Sequence, residues 1–327
     1  TTRSIILLVP AGKIVDSVIE ELLPLLDKGD IIIDGGNSHF TDTDRRVDYL
    51  QSKGFHFFGM GISGGEEGAR FGPSMMPGGD KAAYHVMKPT LEAIAAKAED
   101  GTPCVTYIGR GSAGHFVKMV HNGIEYALMQ LIADTYEFFQ RGLGVGNEAI
   151  GEIFNRWDQG RLQSFLLEIT KDIFAYKIPG TGRLLLDDIK DEAKAEGTGK
   201  WTSQVAMDLQ CPTPVIDMAV SMRDLSKYKS LREQVAGIYP QVQPIEGDRD
   251  KLIARTEQAF FFSMINIYAQ GMHLLSKASE QYRYELKPAE IARIWRAGCI
   301  IRSAFLKDIY KAYESNKDLA HLLLDTS

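Results

Sequence analysis

Between Ser4 and Ile108 four short apolar runs alternate with segments of helical period, and after Gly114 no such run recurs. Ser4–Val9, Asp30–Ile33, Phe55–Phe58 and Cys104–Ile108 read as buried strands. Val15–Leu26, Thr41–Lys53 and Lys81–Ala96 read as helices, the first two closed by Lys28-Gly29 and Gly54. Strands alternating with helices predict a mostly parallel, doubly wound sheet. From His115 one helical pattern runs to about Phe139 without a proline. Others follow over Glu148–Arg156, Leu162–Ile173, Trp201–Gln210, Pro214–Lys229, Asp250–Ala278, Pro288–Glu314 and Asp318–Leu324. Thr181–Arg183 and Gln241–Asp250 read as loops. The expected class is α/β plus all-α, with an α/β unit over residues 1–112 and a large helical unit over 113–327.

Composition removes several function classes. The 37 Lys and Arg against 43 Asp and Glu leave a net charge of −6, which argues against a nucleic-acid partner. No stretch of about 18 apolar residues exists to span a membrane. Cys104, Cys211 and Cys299 are odd in number, far apart and without CxxC spacing. That pattern excludes a disulfide framework and a cysteine metal site, and predicts a reducing, cytoplasmic setting.

The G-x-G-x-x-G pattern occurs at Gly59–Gly64 and at Gly109–Gly114, each after an expected strand. In a dinucleotide fold it would open a short crossover helix and be followed by a second strand. The first copy runs into Gly65, Glu66, Glu67, Gly68 and Pro73, which read as a loop. The second opens a helix too long for a crossover. Both are expected to be flexible loops or a domain hinge.

Chemistry concentrates on the helix after Gly114. Lys118, His121, Asn122, Glu125 and Tyr126 fall at i, i+3, i+4, i+7 and i+8, one stripe on one face. Val117, Met119, Val120 and Ile124 cover the other faces. The stripe is either a solvated surface or a face turned to a polar cavity. In the second case a buried Lys and Glu need a partner or a function. Desolvation would draw both pKa values toward neutrality, where base and acid work is done.

Six segments carry a resemblance: IIIDGGN (31–37), ISGGEEGARFGPSMMPGG (62–79), GHFVKMVHNGIEY (114–126), GTGKWT (197–202), YAQG (268–271) and RAGCIIRS (296–303). In order and length they resemble the decarboxylating 6-phosphogluconate dehydrogenase family. The resemblance implies a partial Rossmann-like domain followed by the family's helical domain. It implies a homodimer that oxidises 6-phospho-D-gluconate to D-ribulose 5-phosphate and CO2 with reduction of NADP. By motif, Lys118 would be the general base at the C3 hydroxyl and Glu125 the acid that protonates C1 of the enediol. Ser63, Gly64 and Gly65 would hold the substrate carboxylate, and His121 and Asn122 the sugar hydroxyls. Tyr126 and Arg223 would hold the 6-phosphate. Val9, Pro10 and Ala11 would face the nicotinamide, and Asn37 would sit where cofactor and substrate meet. YAQG and RAGCIIRS are expected to pack the core.

Against the family pattern, the first strand, glycine-rich turn, first helix and second strand are expected to be absent, as is the family's C-terminal tail. Glu196 stands where the family has a phosphate-binding lysine, Pro10 where many relatives have lysine, and Ala127-Leu128 where a glycine and an acid are common. The alternatives are another β-hydroxyacid dehydrogenase, or a cofactor-deficient, non-catalytic remnant that keeps the helical core.

Overall fold

The computed structural model describes residues 2–195, 197–240 and 243–326. Strands β1 (Ser4–Leu7), β2 (Ile31–Asp34) and β3 (His56–Ser63) pair in parallel, with α1 (Lys13–Leu22) and α2 (Phe40–Ser52) as crossovers. β2 is buried along its whole length because both faces are covered. Ile31 and Ile33 share a core with Phe58, Met60 and with Tyr84 and Leu91 of α4 (Lys81–Ile94). Ile32 packs with Val15, Ile19 and Leu50 on the opposite side. Side chains alternate across a strand, so three successive isoleucines serve two layers.

The sheet is not parallel throughout, as the sequence reading expected it largely to be. α3 (Gly65–Phe71) occupies the stretch read as loop, and β4 (Ser74–Gly79) follows it. β4 pairs antiparallel with β3, from Phe58 opposite Gly79 to Ser63 opposite Ser74, in a sheet ordered β1-β2-β3-β4. The expected strand Cys104–Ile108 is reduced to an isolated bridge between Met75 and Val105. Backbone bonds from Met75 N to Cys104 O (3.0 Å) and from Ile108 N to Pro77 O (2.8 Å) still hold it along β4.

The first glycine fingerprint is not a loop, and the second is the turn that leads into a helix. The first lies largely inside β3, and its glycines let α5 (Ala113–Glu137) approach. A Cβ on Gly59 would lie 2.6 Å from His115 Nδ1, and one on Gly61 only 2.3 Å from Lys118 Cβ. In the second copy a Cβ on Gly109 would lie 2.2 Å from Tyr284 O. The start of α5 is fixed by α2: the Asp44 carboxylate accepts from Ser112 N (3.0 Å) and Ser112 Oγ (2.9 Å).

Beyond α5 run α6 (Asn147–Asp158), α7 (Phe165–Ala175), α8 (Thr198–Asp208), α9 (Pro214–Ser226), α10 (Lys229–Ile238), α11 (Arg249–Tyr282), α12 (Pro288–Ile294) and α13 (Leu306–Ser315). Three expectations need correction. The expected helix Pro214–Lys229 ends at Ser226, and α10 follows it. The expected helix Pro288–Glu314 is broken over residues 295–305, where Gly298 adopts φ +67°, a left-handed conformation that glycine alone adopts freely. The expected helix Asp318–Leu324 shrinks to a single turn, Leu322–Leu324. Of the loop Gln241–Asp250, its first two positions lie outside the described residues and Arg249 already opens α11.

The helical core centres on α5, where Phe116, Val117, Val120 and Ile124 are fully buried against Tyr268, Met272, Leu275 and Trp295. It also takes in Phe40, Met76 and Cys104 from the α/β part, so one core spans both parts. Tyr268 (from YAQG) and Cys299 (from RAGCIIRS) are buried there, as expected.

Candidate functional site

The stripe on α5 is turned inward. Lys118 (7% exposed), His121 (0%) and Asn122 (8%) face the end of β3, the start of α8 and the 295–305 segment. Close approach explains how: Gly61 receives the Lys118 stem, and a Cβ on Gly123 would lie 2.6 Å from Thr202 Cγ2 of α8. Thr202 Oγ also bonds the Met119 carbonyl (2.9 Å), which locks α8 onto α5.

These side chains form one chain of hydrogen bonds. Lys118 Nζ donates to Asn122 Oδ1 (2.5 Å), and Asn122 Nδ2 donates to Thr198 Oγ1 (3.0 Å). With Asn122 Oδ1 acting as acceptor, His121 Nδ1 (3.0 Å) must carry the proton that it shares. His121 Nε2 is then the acceptor for the Ser63 hydroxyl at 3.2 Å. The Ile300 amide donates to the same Ser63 Oγ (3.4 Å), and the Trp295 ring stands edge-on to His121, centroids 5.6 Å apart. Burial pushes the His121 pKa well below the ordinary value, and the Lys118 charge pushes it further, against an opposing hydrogen bond from Asn122. His121 is therefore neutral at pH 7.

Ser63 leads directly into Gly64 and Gly65, with φ +138° and +56°. Gly65 is exposed at the start of α3, while Gly64 lies against the Gly298 carbonyl, 2.7 Å from where a Cβ would be. Glu125 is half-buried one turn beyond His121 and Asn122. Tyr126 lies flat on the α8 backbone, where a Cβ on Gly199 would meet its ring at 2.5 Å. The Arg223 guanidinium of α9 sits 3.7 Å over the same ring and donates to the Lys194 carbonyl (3.0 Å). An arginine on an aromatic face is a known cation–π pairing, and its edge N–H groups suit an anion. Glu196 lies outside the described residues.

A second group of residues gathers at the carboxyl ends of β1 and β2, the place where open α/β sheets bind ligands. Pro10, Ala11 and Asn37 are exposed and Val9 is half-buried. The two loops touch: Gly35 N bonds Leu7 O (2.9 Å), and a Cβ on Gly36 would lie 3.1 Å from Val9 O. His115, one turn before Lys118, ties this end to α5 through contacts with Asp34 O (3.1 Å) and Thr43 Oγ1 (2.6 Å). The Trp201 ring of α8 meets His39, two residues from Asn37, at 4.8 Å. The sequence reading singled out neither His115 nor Thr198. Thr198 stood inside the quoted GTGKWT run, but only its placement beside Asn122 marks it. A cleft of about 570 Å³ lined by Asp158, Lys171, Arg296 and Arg302 lies apart from both groups. Its cations are balanced by acids, Lys171 by Asp158 (2.7 Å) and Arg296 by Asp100 (3.0 Å).

Two buried neutral histidines carry a pH signature. Burial depresses the pKa of His115 as well as that of His121. The unfolded chain binds their protons below about pH 6.5 while the folded chain does not, so stability is full above that pH and falls as pH drops. The slope should approach about 1.4 kcal/mol per pH unit for His121, with a contribution of the same sign from His115. Urea titrations between pH 7.5 and about pH 5 should show it, and His121→Gln should flatten it. An unchanged slope in that variant would contradict the burial argument.

Comparison with known proteins places the geometry in context. The NAD binding domain of 6-phosphogluconate dehydrogenase matches residues 1–109, and the 6-phosphogluconate dehydrogenase C-terminal domain matches residues 114–327. The chain is 50% identical to an NADP(+)-dependent, decarboxylating 6-phosphogluconate dehydrogenase of Bacillus subtilis, over 100% of this chain and 70% of that protein. It is 52% identical to the decarboxylating 6-phosphogluconate dehydrogenase of Escherichia coli, over 99% of this chain and 69% of that protein. Among solved structures, Plasmodium falciparum 6-phosphogluconate dehydrogenase, determined apo, with NADP+ and with 6-phosphogluconate, superposes with a TM-score of 0.95. It is 43% identical over 99% of this chain and 70% of that chain. A 3-hydroxyisobutyrate dehydrogenase of Mycobacterium tuberculosis shares the fold at 16% identity over 78% of each chain, with a TM-score of 0.50.

Proposed function

The chain belongs to the 6-phosphogluconate dehydrogenase family, and we propose that it oxidatively decarboxylates 6-phospho-D-gluconate to D-ribulose 5-phosphate and CO2, a step of the pentose phosphate pathway, with NADP as cofactor. The observation that carries this reading is the buried chain from Lys118 through Asn122 and His121 to Ser63, which sets an amine beside neutral hydrogen-bonding groups.

Lys118 takes the C3 hydroxyl proton as C3 becomes a ketone. NADP, when bound, accepts the hydride that leaves C3. The C1 carboxylate of the 3-keto acid departs as CO2, the C1–C2 bonding pair becomes the C2=C3 bond of the enediol as the C3 carbonyl π pair moves onto oxygen, and the Lys118 ammonium returns a proton there. Glu125, half-buried on the same stripe, then protonates the enediol carbon that becomes C1 of the product. Both roles need a pKa near the working pH.

Ser63, Gly64 and Gly65 hold the substrate carboxylate; the Ser63 hydroxyl, which donates to His121 in the free site, turns its proton to the carboxylate when substrate binds. His121 and Asn122 bind the sugar hydroxyls. Tyr126 and Arg223 hold the 6-phosphate, and their stacking supports that pairing. The cofactor's nicotinamide end fits the loops that end β1 and β2. A flat ring bearing a carboxamide needs an apolar surface edged by amides, and the exposed Leu8, Pro10 and Ala11 beside Asn37 supply one. In this reading residues 1–112 serve the cofactor and 113–327 carry the base and acid. A homodimer would bury the apolar side chains exposed on α9 and α10, among them Met218, Leu225, Leu231 and Val235. No helix among the described residues is long and apolar enough to cross a membrane. The three free, buried cysteines support a reducing, cytoplasmic setting.

Initial rates with NADP and a set of hydroxy acids test the assignment. Turnover of 6-phosphogluconate should exceed that of gluconate and of 3-hydroxyisobutyrate by at least about 100-fold, because a site built for a phosphate loses those bonds with either. Faster turnover of an unphosphorylated acid would overturn it.

A further inference from the structure

We infer that Arg46 is a positioning residue for the nicotinamide end of the cofactor, a single buried guanidinium that sets both loops at the ends of β1 and β2. This rests on the function proposed above. Arg46, on α2, is 1% exposed. Its Nη2 donates to the Gly12 carbonyl (2.8 Å), at the end of the loop that carries Val9, Pro10 and Ala11. Its Nη1 faces Asp34 Oδ2 (3.4 Å) and Ser38 Oγ (3.3 Å), on either side of the Gly35-Gly36-Asn37 turn. Its Nε donates to Asp16 Oδ1 (2.8 Å) in the first turn of α1.

Asp34 carries the effect onward. It is 0% exposed, accepts from Gly36 N (3.1 Å) and Ser38 Oγ (2.6 Å), and so shapes the turn that presents Asn37. Arg45 also pairs with Asp16 (2.9 Å) and with Asp42 (3.6 Å), so two guanidinium groups stand among three carboxylates. Only a planar fork of fixed donors reaches Gly12 O, Asp16, Asp34 and Ser38 together. A lysine at this place keeps the charge and loses the fork. None of the four is a member of the Lys118–Asn122–His121–Ser63 chain.

The consequence is a split between the two ligands. In Arg46→Lys, NADPH binding followed by nicotinamide fluorescence should weaken at least tenfold. Binding of 6-phosphogluconate by calorimetry should stay within twofold. Hydrogen exchange should quicken over residues 9–12 and 35–38 and stay unchanged over 118–126. Ser38→Ala, which removes one bond of the network, should give the same pattern at smaller amplitude and decides the matter if Arg46→Lys does not fold. Arg45→Lys, an exposed pair partner of Asp16, should change none of these. Unchanged NADPH affinity, or equal loss of both ligands in a folded variant, would overturn the inference alone. A wild-type chain that binds neither ligand would overturn the proposed function and this inference together.

Discussion

Lys118→Met is expected to lower kcat by about 10³-fold, within the usual range for loss of a general base, while the protein stays folded. The methionine keeps an unbranched stem in the space opposite Gly61 and removes only the amine. Asn122 Oδ1 keeps its bond to His121. Turnover should collapse while the variant still melts in one cooperative transition. A kcat within tenfold of wild type, with Tm unchanged, would remove Lys118 from the chemistry.

Gly61→Ala should act in the opposite way, through the fold. The new methyl would sit 2.3 Å from Lys118 Cβ and 3.0 Å from the Gly114 carbonyl, between a strand and a helix that are both buried. Neither contact is the free end of a flexible side chain, so α5 must move off β3. Overpacking of this kind costs about 3 kcal/mol, which for a chain of this size lowers Tm by roughly 4 °C. Because Lys118, His121 and Asn122 ride on α5, activity should fall with it. Gly237→Ala is the control: its Cβ meets nothing within 4 Å in α10, and helix propensity predicts a gain of up to about 1 kcal/mol. Calorimetric melting of both variants checks the pair. A Gly61→Ala protein that melts with wild type would mean that α5 does not press on β3 as described.

The sequence announced some of this architecture and concealed the rest, and the division follows local against tertiary causes. β2 and α2 were legible because the isoleucine run and the Thr41–Lys53 pattern bury their apolar residues by simple periodicity. The α5 stripe was legible for the same reason, although whether it faced water or the interior needed β3 and α8 in place. β4 was hidden: Ser-Met-Met-Pro-Gly-Gly has little strand propensity and is a strand because β3 pairs with it. The first glycine fingerprint reads locally as a flexible loop, but it lies largely inside β3, where its glycines admit His115 and Lys118 across the seam. Residues 295–305 read as helix because nothing local marks the left-handed Gly298. The resemblance supplied Tyr126 and Arg223 separately, and the fold stacks them at 3.7 Å. Thr198, His115 and Arg46 hold or position the site through partners distant in sequence, and periodicity carries no trace of such contacts.

In the proposed reaction one site on α5 couples oxidation to loss of carbon dioxide. The direct measurement is parallel quantification of reduced nicotinamide and CO2 from 6-phosphogluconate with NADP, for wild type and for Glu125→Gln. Wild type should give equal amounts of the two products, with ribulose 5-phosphate as the sugar, and the variant should lose most ribulose 5-phosphate formation. Reduced nicotinamide without CO2 in wild type, or full ribulose 5-phosphate formation by Glu125→Gln, would contradict it.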